Sequence, residues 1–130
     1  MVDGTGAPRF AADVTVEGER IARVERVPAA ASGLVLAPGF IDMHAHADLA
    51  LLADPVQEAK VSQGVTTQVI GQDGIAYAPV DDAALALVRR QIGGWNGDLD
   101  DAAFDWRDVA GLLARLEATP LGVRAGTKAS

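Results

Sequence analysis

Residues 39–48, GFIDMHAHAD, contain the chain's two histidines, and from Asp42 to Asp48 every second residue can ionise or bind a metal. On an extended strand, side chains alternate between faces. Phe40, Asp42, His44, His46 and Asp48 would then line one side, and Ile41, Met43, Ala45 and Ala47 the other. Two imidazoles two positions apart on a strand have Cβ atoms roughly 6 to 7 Å apart, so both rings reach one ion at about 2.0 to 2.1 Å. Burying such groups without partners costs on the order of 1 to 3 kcal/mol each, and a bound divalent cation removes that cost. An HxH pair by itself also fits a solvent-facing strand. What favours ligation here is the shared face and a place near a strand end, just before a loop, where α/β sheets and barrels build their sites. Asp42 is then a candidate acceptor that orients a histidine ring from outside the coordination sphere. Asp48 closes the file and reads as a loop or cap residue.

Composition narrows the chemistry. The chain has 130 residues, no cysteine and a net charge of −7. Without cysteine there is no disulfide, thiolate nucleophile or thiolate ligand, so a metal must be held by histidine nitrogen and carboxylate oxygen. The acidic balance, with no basic cluster, argues against nucleic acid and against an anionic membrane as partners. No apolar run approaches the roughly 18 to 20 residues that span a bilayer, and MVDGTGAPRF lacks the features of a signal peptide. A cytoplasmic protein is expected. The acidic stretch at residues 97–108 reads as a solvated loop and helix start.

The elements that must position the histidines follow from local pattern. Residues 12–27 read as a hairpin turning at Gly18, and the apolar run LVLA before Pro38-Gly39 as a third strand of a small β-layer. The polar-striped strand should run from Phe40 to about Ala47. Asp54-Pro55 predicts the start of a helix through VQEAKVSQ with Gly64 at its end, and VTTQVI, residues 65–70, a strand followed by a tight GQDG loop. Asp81 and Asp82 can cap a helix to about Ile92, ended by Gly93-Gly94, and a last helix is expected from about Trp106 to Glu117. Trp95, Phe104 and Trp106 read as packing anchors. Strand alternating with helix predicts an α/β fold with a parallel sheet.

The stretch APGFIDMHAHADLALL resembles the first barrel strand of the amidohydrolase superfamily, whose signature is proline-glycine-phenylalanine-isoleucine-aspartate followed by HxH. AKVSQGVTTQVIGQDGIAYAPV resembles the second βα unit of one branch, the N-acyl-D-amino-acid deacylases or D-aminoacylases. VDGTGAPRFAADVTVEGERIARVERV is similar to that branch's N-terminal β-domain. The resemblance implies a zinc-dependent (β/α)8 barrel beside a small β-sandwich, with one or two metal ions, hydrolysing the amide of a small-molecule N-acyl-D-amino acid. Residues 1–38 would be part of the β-domain, residues 39–118 the first βα units, and residues 119–130, TPLGVRAGTKAS, stay unassigned.

It also implies that His44 and His46 are metal ligands. Many deacylases of the branch carry a cysteine ligand in a glycine-asparagine-cysteine-glycine loop, and here that loop is GQDG. Asp73 stands at the cysteine position, where a carboxylate is a harder zinc donor, or else simply closes the turn. Gln72 and Tyr77 are candidates to lie near substrate. The family's general base, a late-barrel aspartate, and its other histidine ligands are expected outside this chain. A (β/α)8 barrel takes about 250 residues. The chain therefore reads as an amino-terminal portion of such an enzyme, inactive by itself. The competing readings are a non-catalytic remnant or assembly partner, and another amidohydrolase such as a dihydropyrimidinase- or dihydroorotase-like cyclic amidase. A nucleotide-binding module finds no glycine-rich phosphate loop after a strand.

Overall fold

The computed structural model describes residues 1–127 and divides into two compact units, Met1–Pro38 and Gly39–Ser130. In the first, β1 (Ala12–Glu17) pairs antiparallel with β2 (Arg20–Arg26), and Val14 lies opposite Val24. The turn passes through Gly18 at φ 59°, a left-handed conformation that glycine adopts without a Cβ clash. Residues 34–37, expected as a third strand, form none. The Leu36 carbonyl accepts one bond from the Val2 N–H at 2.8 Å, and Leu34 is 85% exposed. An apolar run becomes a strand only where a neighbour takes up its ladder, and none of the described residues of this unit does so.

The second unit is built on three parallel strands in sequence order: β3 (Phe40–Asp42), β4 (Val65–Ile70) and β5 (Arg124–Thr127). Between β3 and β4 run two short helices, α1 (Ala50–Ala53) and α2 (Glu58–Val61). Between β4 and β5 run α3 (Asp82–Asn96), a 3-10 turn at Asp101–Ala103, and α4 (Val109–Glu117). Helical crossovers between adjacent strands are what a parallel pairing requires. Gly39 enters β3 so close to β4 that a Cβ there would overlap the Thr66 side chain.

Several boundaries differ from the sequence expectation, each for a local reason. β3 stops at Asp42, although the Ala45 N–H still donates to the Val69 carbonyl at 3.0 Å and keeps the histidine segment alongside β4. The helix expected after Asp54-Pro55 is shortened to α2: Asp54 ends the preceding α1, and Gln57, at φ 54°, delays the start of α2. Gln57 is held in that turn by its own amide, which donates to the Ala50 and Asp54 carbonyls. α3 starts where expected, with Asp81 Oδ1 accepting from the Ala84 N–H at 2.7 Å, but runs through Gly93-Gly94 to Asn96. α4 starts at Val109, capped by Asp108, which leaves Trp106 outside the helix with its indole N–H donating to the Tyr77 carbonyl at 2.9 Å. Residues 124–127, in the segment left unassigned by sequence, form β5; residues 128–130 of that segment lie outside the described residues. Small residues hide a strand from pattern reading, because Ala125 and Gly126 carry no alternating apolar signal.

The core lies entirely in this unit. Leu49, Leu51, Ile70 and Tyr77 are fully enclosed, with Leu85, Ile92, Phe104, Trp106, Leu112, Leu116 and Val123 around them.

Candidate metal site

The β3–β4 pairing brings the expected donors together from 29 residues apart in sequence. His44 and His46 follow β3, and Asp73 sits in the loop after β4. Their Nε2 atoms are 3.3 Å apart; Asp73 Oδ2 lies 3.0 Å from His44 Nε2 and 3.6 Å from His46 Nε2. The three donor atoms all fall within 4.8 Å of one another. Tetrahedral zinc with ligand distances of about 2.0 to 2.1 Å separates its donors by about 3.3 Å, so the set fits the edges of such a site.

The GQDG loop makes this possible by its backbone. Gly71 and Gly74 have φ of 74° and 68°, and Asp73 itself sits at φ 59°, so the chain doubles back and turns the carboxylate toward the histidines. Gln72 locks the loop. Its Nε2 donates to the Met43 and Val69 carbonyls, both at 3.2 Å, tying the histidine segment to the end of β4.

Burial departs from the expectation of a buried file. His44 and Asp73 side chains are 56% and 58% exposed and only His46 is largely enclosed, so desolvation does not force a cation onto them. The alternation changes because β3 ends early: Ala45 and Ala47 are buried as expected, but Met43 is exposed and Asp48 fully enclosed.

Asp42 does not touch a histidine ring. Its Oδ1 accepts from the His44 backbone N–H at 3.2 Å and its Oδ2 from Lys60 Nζ at 2.5 Å. The Lys60 hydrogen bond holds its carboxyl below the usual carboxylate range. Asp42 thus fixes the backbone turn that presents His44. Lys60 gave no sequence signal, because it comes from α2, 18 positions away.

Both residues expected near substrate lie inside this unit. Gln72 is buried and occupied by the two carbonyls, and Tyr77 is enclosed, its ring stacked 6.1 Å from Phe104. Burial raises the Tyr77 hydroxyl pKa. Phe104 and Trp106 are packing residues, as expected, whereas Trp95 is exposed, its ring 4.9 Å from that of His46. Asp48 lies in a turn, as expected of a loop residue, but is fully enclosed. Burial raises its pKa, and the backbone amides of Asp48 and Tyr77 and the Asn96 side chain offset only part of that rise.

The sequence pattern of the amidohydrolase family matches residues 29–129. This chain belongs to that family. Among curated relatives, the N-acyl-D-glutamate deacylase of Alcaligenes xylosoxydans xylosoxydans is 45% identical over 100 residues, covering 68% of this chain and 20% of the relative. The D-aminoacylase of the same organism is 39% identical over 136 residues, covering 96% and 26%. Among solved structures, the N-acyl-D-glutamate deacylase of Bordetella bronchiseptica, complexed with zinc and a phosphonate mimic of the tetrahedral intermediate, superposes with a TM-score of 0.68 at 37% identity. It is matched over 96% of this chain and 26% of its own. A D-aminoacylase structure described by its binuclear metal centre gives a TM-score of 0.72 at 36% identity, over 98% and 27%. The amidohydrolase chain described here therefore spans between a fifth and just over a quarter of the length of these relatives. No helix among its described residues is long and apolar enough to cross a membrane.

Proposed function

We propose that the chain supplies the first metal-binding segment of an N-acyl-D-amino-acid deacylase, which hydrolyses an N-acyl-D-amino acid to the free D-amino acid and a carboxylate. The observation that carries this is the convergence of His44 Nε2, His46 Nε2 and Asp73 Oδ2 within 4.8 Å beyond the ends of β3 and β4, in a chain similar to zinc-bound deacylases. In this reading the two imidazoles donate as neutral Nε2 ligands and Asp73 as a carboxylate, in the place where many deacylases of the branch carry cysteine. Zinc is the ion the donor set suits, two nitrogens and one oxygen being compatible with other divalent metals too. When bound, such an ion supplies Lewis acidity that activates water and polarises an acyl carbonyl. The protein's own part is positioning. Asp42 and Lys60 hold the His44 turn, and Gln72 holds the Asp73 loop against it. The completed (β/α)8 barrel, its β-sandwich, the general base and any second metal site belong to the longer protein. Met1–Pro38 would be part of the β-domain and residues 39–127 the first βα units with the third strand. By itself the chain binds metal without turnover.

Zinc titration tests this. Zinc at 100 times its Kd should add about 2.7 kcal/mol to stability, read as a rise in Tm. His44→Ala should abolish the rise. A chain that holds no zinc and melts identically with and without it would overturn the assignment, and hydrolysis of N-acetyl-D-glutamate by the chain alone would overturn the division of labour.

A further inference from the structure

The last turn of α3 makes two contacts in opposite directions. Trp95 turns outward, 61% exposed, with its ring centroid 4.9 Å from that of His46 and tilted by 42°. Asn96 turns inward, 2% exposed, with its side chain beside the enclosed Asp48 carboxylate. By hydrogen-bond geometry, neither Asp48 oxygen and neither Asn96 side-chain polar atom has a partner among the described residues. Buried polar atoms are nearly always satisfied, and the polar side chain that acts on the Asp48 carboxylate from beside it is the Asn96 amide, so a small adjustment pairs the two.

The helix has no local reason to extend this far. Gly93 and Gly94 each cost about 1 kcal/mol relative to alanine in a helix, and the last turn carries no basic residue to favour its carbonyls. The interior placement of Asn96 is what holds the last turn. His46, in turn, lacks the usual restraint on a ligating imidazole: its Nδ1 is buried without a partner, where a carboxylate or carbonyl ordinarily fixes the ring. What touches the ring is the edge of His44, with centroids 5.1 Å apart, and Trp95.

We propose that Asp48, Asn96 and Trp95 are positioning residues for His46: the Asp48–Asn96 contact anchors the end of α3, and Trp95 on that end braces the imidazole so that Nε2 stays aimed at His44 and Asp73. The consequence for metal affinity rests on the reading of His46 as a ligand. The bracing itself does not.

The decisive measurements are made on the metal-free chain by NMR. The ring C–H resonances of His46 should carry an upfield ring-current shift from Trp95, lost in Trp95→Ala and retained in Trp95→Phe, with Tm unchanged because the side chain is exposed. Amides of residues 94–96 should be protected from hydrogen exchange in the parent chain, and Asn96→Ala should lose both that protection and the His46 shift. With zinc added, Trp95→Ala should bind about tenfold more weakly, as removal of outer supports to a ligand typically does, and Trp95→Phe should restore binding. His46 resonances unmoved by Trp95→Ala would overturn the proposal. So would parent amides at 94–96 that exchange freely, which needs no variant that might misfold. A chain that binds no zinc but shows the shift and the protection sinks the metal assignment and leaves the bracing intact.

Discussion

Met1–Pro38 and Gly39–Ser130 both carry apolar residues at strand spacing, but the spacing has opposite outcomes. In the first unit, Val16, Ile21 and Val24 remain exposed, and none of its residues is buried. In the second, Leu49, Leu51 and Ile70 are sealed beneath α3 and α4. The residue types are the same. The second unit contains helices between its strands, and a helix face supplies the second layer that a sheet needs to bury anything. A two-stranded ribbon without such a layer holds itself mainly by its backbone ladder.

Three substitutions would break or sharpen this contrast. The largest effect is expected at Leu49→Ala in the second unit, which opens a void in a closed core and should cost about 2 to 5 kcal/mol, read as a lower urea midpoint at unchanged slope. A loss under half that range would mean the second unit's core is loosely packed and the contrast overstated. Next, Gly93→Ala should stabilise the second unit by about 0.5 to 1 kcal/mol. Its added Cβ meets nothing within 4 Å, and Gly93 is helical with no positive φ. Thermal denaturation showing no gain would mean that the last turn of α3 is not limited by its glycines. The smallest effect belongs to the first unit: Leu34→Ala should stay within about 0.5 kcal/mol of the parent chain, since an exposed side chain has little to lose. A cost matching that of Leu49→Ala would show that LVLA is covered in solution.

The sequence disclosed the site better than it disclosed the elements. The HxH spacing marked His44 and His46 as a candidate pair from residue type and alternation, whereas Asp73 was named only through the family resemblance of its GQDG loop; the structure brings the three side chains together. What failed was the assumption that the polar file continues as a buried strand. β3 ends at Asp42 because Asp42 bonds back to the His44 backbone, a competition between side chain and ladder that period-2 counting cannot register. The first turn of the helix expected after Pro55 was lost to the Gln57 side chain in the same way. The overrun of α3 past Gly93-Gly94 and the strand at Arg124–Thr127 depend on contacts made elsewhere in the fold, and propensity yields to those. Trp95 was read as a core anchor because aromatics usually are; its neighbour Asn96 took the interior position instead.

Asp73 shows a compromise written into one residue. Left-handed backbone comes free to glycine and at a penalty on the order of 1 kcal/mol to most other residues, aspartate being among the more tolerant. With glycine already at 71 and 74, a sequence shaped by foldability alone would have placed a third at 73. Retaining a carboxylate there makes the loop a little less comfortable than it could be, so the easiest stabilising change in this loop is also the one that would remove the proposed donor.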